Sequence, residues 1–156
     1  MVSFILRDRV HGVFVFIGND RYGLRKPVPL GNQYVIHRNA AGKAILTELP
    51  DETIDEIIAE TGLLRETENT ITDADELWSD IETIRKKASP MSTGEHLKAI
   101  QSIAAAVSSP ETGQTGAISI TCPAEYLGQE RVHNQYAEMV IEAANELELR
   151  TQYALE

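Results

Sequence analysis

The stretch that most constrains the fold runs from Val35 to Leu49, VIHRNAAGKAILTEL, where an extended, β-branched entry passes directly into a helix. Asn39 is a good N-cap residue, since its side-chain oxygen can accept from the free amides of the turn that follows. That turn is Ala40, Ala41 and Gly42, which places almost no side-chain bulk over the free backbone N–H groups. Donors that converge at the positive end of a helix dipole make a place for a small carboxylate or phosphate. Small residues there also let a helix start pack closely on a sheet, and the residues alone leave both readings open.

The rest of the chain supplies the sheet. Residues 2–7 and 10–17 are apolar, β-branched and aromatic runs separated by Asp8-Arg9, and Gly18-Asn19-Asp20 closes the second, so two adjacent strands of a hairpin are expected. Residues 21–32 carry Gly23, Pro27, Pro29 and Gly31, a composition that breaks regular structure and reads as a loop able to act as a lid. Residues 33–37 return to extended chain before the Asn39 helix, which should stop at Leu49-Pro50 because the residue before a proline is disfavoured in the helical region. Asp51 opens a second helix with Ile54, Ile57 and Ile58 on one face and Gly62 as its stop. Asp73 and Glu76 have the spacing of a capping box ahead of a third helix, whose stripe is Leu77, Ile81, Ile84 and Ala88. These carboxylates read as structural.

Residues 97–107 and 115–121 are strand-like, with turn composition between them, and form a second expected hairpin. Val132, Tyr136, Met139, Val140, Ala143 and Leu147 then repeat at helical spacing, which predicts a long helix over residues 130–148. The whole pattern is that of an α+β domain on a central antiparallel sheet flanked by helices. Strand alternation places Ala117, Ser119 and Thr121 on one face and Ile118 and Ile120 on the other, and it groups Ser102 with Ala104 and Ala106. If the small, hydroxylic faces share a side, paired residue numbers must sum to an odd value, as with 102 opposite 119 or 121. Such a face is either a shallow polar hollow for a small ligand or the seat of a helix.

Charge and cysteine usage exclude several classes. With 14 basic and 24 acidic residues the chain carries a formal charge of −10, so a phosphate backbone would repel it and it is not expected to bind DNA by itself. No run of about 18 apolar residues and no signal-peptide pattern is present, so no membrane association and a cytoplasmic location are expected. The single cysteine, Cys122, cannot form an internal disulfide or a multi-cysteine metal site, and nothing beside it in sequence would activate a nucleophile. Gly42-Lys43 fails as a phosphate loop, because His37 stands where a glycine is needed and Ala44 where Ser or Thr is needed. The histidines His11, His37, His96 and His133 share no ligand spacing, so no metal or cofactor is expected. Residues 1–154 are expected to form one domain, with Leu155-Glu156 a possible cloning remnant.

The order of these motifs resembles the C-terminal effector-binding domain of IclR-type transcriptional regulators. The resemblance lies in the NAAGKAIL helix start followed by Leu49-Pro50, the NTITD lead into the third helix, and the segments Ile103 to Val107 and GAISITCP from Gly116 to Pro123. It implies a GAF-like, non-enzymatic domain that senses a small organic acid and associates into dimers or tetramers. DNA would be read only by a separate N-terminal winged helix-turn-helix, which is not seen ahead of Val2. The family's pocket donors fall on Ala40 and Ala41, beside Gly42, and its sheet hydroxyls on Ser119 and Thr121. Where many relatives have a pocket acid this chain has Ser92, where they have a cysteine it has Ser102, and Tyr34 replaces an aliphatic wall residue. These departures imply a polar ligand such as a short keto or hydroxy acid. A ligand-free oligomerisation module and a GAF-like enzyme are the alternatives from other classes.

Overall fold

The computed structural model describes residues 1–18, 28–87 and 90–154. Strands β1 (Val2–Asp8) and β2 (His11–Ile17) form the first hairpin, turning at Arg9 in the left-handed region. The expected lid lies mostly outside the described residues. Its final part is tied to β2, since the Gly31 amide donates to the Phe14 carbonyl at 2.8 Å and the Phe14 amide to the Asn32 carbonyl at 3.1 Å. The extended segment after it is shorter than expected. Strand β3 (Gln33–Val35) stops early and Ile36–Arg38 form a 3₁₀ turn, which lets the chain swing sharply into α1.

Helices α1 (Ala40–Thr47), α2 (Asp51–Thr61) and α3 (Ala74–Lys87) follow, stopped and capped largely as the sequence predicts. Gly62 closes α2 at φ 62°, and the Glu76 amide donates to Asp73 Oδ1 at 3.0 Å at the start of α3. Strand β4 (Met91–Thr93) was not expected, and it pairs with β5 (Ile100–Ser109), which starts three residues later than the apolar run implied. After β6 (Gln114–Pro123) the unexpected short helix α4 (Ala124–Leu127) leads into α5 (Glu130–Ala154), six residues longer than its apolar stripe required. The last part of α5 continues on helix propensity beyond the packed stripe.

All six strands join one antiparallel sheet in the order β3-β2-β1-β6-β5-β4. Its central pairing sets Ser102 opposite Thr121 and Ala104 opposite Ser119, the odd-sum register that brings both small faces to one side. Two cores result. Ala104 and Ala117 pack with Ile45, Leu46, Ile54, Leu77 and Ile81 beneath α1–α3, while Ile103, Ala105 and Val107 pack with Val140 and Ala144 of α5 on the other face. Each fully buried Ile or Leu contributes roughly 1.5–3 kcal/mol relative to exposure. Among the described residues no helix is long and apolar enough to cross a membrane.

Candidate functional site

The start of α1 is fixed by two local devices. Asn39 Oδ1 accepts from the Gly42 amide at 2.8 Å, the N-cap bond its side chain favours. Gly42 itself is required by a close approach, because a Cβ there would lie 1.6 Å from the Ile36 carbonyl oxygen of the preceding 3₁₀ turn. The bare backbone of Gly42 thus serves packing. The Ala40 amide makes a long bond of 3.4 Å to Ser102 Oγ, and the Ala41 amide has no acceptor among the described residues.

Beneath this helix start the small-residue face of the sheet divides in two. Ala104 and Ala117 are covered by α1, whereas Ser102, Ser119 and Thr121 border a cavity of about 110 Å³ together with Tyr34, Asn39, Ala41, Ser92 and Glu95. The face is thus the seat of α1 over one part and borders an open cavity over the other. Ile5 and Phe14 add an apolar wall, and Val28, Asn32, His96, Leu97 and Ile100 complete the lining. Of the residues expected from sequence, Tyr34, Ala41, Ser92, Ser102, Ser119 and Thr121 meet at this cavity. Ala40 and Gly42 are not among its lining residues.

Tyr34 reaches the cavity across β2, where its ring covers Gly12; a Cβ at Gly12 would come within 2.6 Å of the ring carbon that bears the hydroxyl. Burial pushes the Tyr34 phenol far above its ordinary range, and the Asn39 side chain pulls the other way. Asn39 approaches without satisfying the hydroxyl, which has no well-formed hydrogen bond among the described residues. Ser119 shares a hydrogen bond of 2.9 Å with Ser3 across the β1–β6 pair, which fixes its rotamer while leaving acceptor capacity toward the cavity.

Sequence reasoning missed the charged part of the site. Lys43 is buried in the first full turn of α1, and its Nζ is 2.7 Å from Glu95 Oε1 and 2.6 Å from Asp80 Oδ2. The signal was present in Lys43 itself, since a cation near a helix N-terminus opposes the dipole and needs an acidic partner. Burial pushes the Glu95 carboxyl up, opposed chiefly by the Lys43 ammonium. On the other sheet face, Cys122 packs with Ile118 and Ile120, and burial pushes its thiol up against the pull of the N-terminal charge and the Leu127 backbone. It does not face the cavity. Among the described residues no group of three or more His, Cys, Asp or Glu could hold a metal ion.

Fold and site define an α+β domain with helices on both faces of an antiparallel sheet and a cavity of mixed lining, apolar residues with several hydroxyls, under one helix start. Residues 1–149 match the family of the bacterial transcriptional regulator IclR C-terminal domain, and the chain belongs to it. Over 124 residues it is 35% identical to the HTH-type transcriptional repressor AllR of Klebsiella pneumoniae, covering 80% of this chain and 45% of that protein. The AllR of Escherichia coli K12 is 32% identical over the same shares of both chains. The chain thus spans less than half the length of these relatives. In fold it is similar to the Thermotoga maritima IclR crystal structure, with a TM-score of 0.90 and 24% identity over 96% of this chain and 60% of that one. It is also similar to a double mutant of the PobR inducer-binding domain from Acinetobacter in complex with 3-hydroxybenzoic acid, with a TM-score of 0.78 and 25% identity over 94% and 86% of the two chains.

Proposed function

We propose that this domain senses a small organic acid and passes its occupancy to a DNA-reading domain of a full-length regulator. The observation that carries the reading is Ala41 at the start of α1, whose amide has no acceptor among the described residues, lining a cavity together with Ser92, Ser102, Ser119 and Thr121. A helix dipole and several hydroxyl donors suit a carboxylate, and Ile5 and Phe14 suit a short carbon skeleton. The PobR domain, similar in fold, is complexed with an organic acid. Association into dimers or tetramers and a cytoplasmic location belong to the same reading, which rests on relatives named as transcriptional repressors. A catalytic role is not part of it, since the cysteine packs on the opposite sheet face.

A thermal-shift series with small carboxylic acids, from two-carbon keto acids to aromatic acids, tests the proposal. A ligand that binds only the folded state raises Tm as its concentration passes Kd. Saturating acid at about 100 times Kd should stabilise by about 2.7 kcal/mol. Ala41→Asp should abolish the shift, because it sets a like charge against the ligand carboxylate. If no acid moves Tm, or the shift survives Ala41→Asp in a folded variant, the cavity is not an acid site and a ligand-free oligomerisation role takes its place.

A further inference from the structure

We propose that Glu95 is a specificity-determining residue of this cavity, selecting monocarboxylic acids that carry a second, hydrogen-bond-donating group and rejecting acids that carry a second carboxylate. The inference rests on the reading of the cavity as an acid site and adds to it the chemistry of the ligand's other end. Its starting point is a half-used carboxylate. Glu95 is only 7% exposed. Its Oε1 accepts from Lys43 Nζ at 2.7 Å, while Oε2 is buried with no hydrogen-bond partner among the described residues. The Ser92 hydroxyl favours the ionised form without satisfying that oxygen.

The carboxylate is also held in place. Its backbone carbonyl accepts from Thr70 Oγ1 at 2.6 Å and from Thr67 Oγ1 at 3.3 Å, which fastens the β4–β5 connection to the loop before α3. Lys43 is divided between Glu95 and Asp80, so with both carboxylates ionised one cation faces two anions at this edge of the cavity. A buried acceptor that lacks a donor is costly, and a bond from a ligand to an ionised acceptor is stronger than a neutral one. A hydroxyl or N–H on the ligand would complete Oε2. A second carboxylate in the same place would meet a like charge in a partly dry site.

The experiment compares Kd values of the 156-residue chain for four acids of three carbons: lactate, 3-hydroxypropionate, propionate and malonate. At least one hydroxy acid should bind about tenfold or more tightly than propionate, and malonate should bind most weakly. Glu95→Leu should remove the advantage of the hydroxy acid over propionate, and Glu95→Gln should recover about tenfold of the malonate penalty. Both variants leave Lys43 its contact with Asp80, and selectivity in the unmodified chain stands whether or not either variant folds. If propionate binds as well as the hydroxy acids, or the preference survives both substitutions, Glu95 does not select and the acid site stands without it. If none of these acids, nor any acid of the wider series, binds the unmodified chain, the acid-site reading itself fails and the role of Glu95 falls with it.

Discussion

His37 shows how far one buried side chain can tie stability to pH. It is 1% exposed, and neither ring nitrogen has a well-formed hydrogen bond among the described residues. Burial, helped by the neighbouring Arg38 cation and less by Lys43, lowers its pKa to about 4, while the Leu64 backbone opposes the shift. The unfolded chain keeps the ordinary value near 6.5, so between about 4 and 6.5 the unfolded state binds the extra proton. The contribution is complete above about pH 6.5 and is lost as pH falls, reaching roughly 2 kcal/mol at pH 5. Glu95 acts in the opposite sense, since a raised carboxyl pKa makes its contribution fall as pH rises through the titration. Urea unfolding at pH 7.5 and pH 5 should show the loss in the unmodified chain and a flattened difference in His37→Leu. Equal losses in both would assign the effect to other groups.

At the level of elements, the entry to α1 was legible because its signals are local, and its energetics follow from the same residues. Asn39→Ala removes one cap bond and should cost about 1 kcal/mol in a denaturant titration. Gly42→Ala should cost more, about 3 kcal/mol, because the Ile36 carbonyl is backbone and cannot step aside as a flexible side chain would. If the two substitutions cost the same, the close approach is relieved elsewhere. The sheet register was legible only as a condition: a period of two leaves two choices of face for Ser102 and Ser119, and the structure takes the one that sets both small faces on the same side. Strand β4 was not legible: its three residues carry no pattern, and it exists by pairing with β5. Nor was the Lys43–Glu95–Asp80 cluster, which unites three separate parts of the chain and obeys no spacing rule. Thus the two possible faces set by strand parity could be anticipated, and so could the need of Lys43 for an acid, but not that Glu95 and Asp80 would supply it.

For the whole molecule, the sheet acts as a partition. The cavity and α1–α3 occupy one face, α5 the other, and β5 and β6 present alternate residues to each. Val140 of α5 is 1% exposed among Ile103, Ala105 and Val107, so Val140→Ala should cost about 2 kcal/mol from lost methyl groups and the space they leave. Ser119→Leu fills the cavity instead, and should abolish the acid-induced rise in Tm. Because the two positions lie on opposite faces with no shared partner, their stability effects should add to within about 0.5 kcal/mol, and Val140→Ala should leave the ligand Kd unchanged. Urea unfolding of both single variants and the double variant, with ligand titration of Val140→Ala, reads both quantities. A coupling above about 1 kcal/mol, or a Kd altered by Val140→Ala, would mean that the sheet transmits strain between its faces. In that case α5, and not only the helices over the cavity, would sense whether the site is filled.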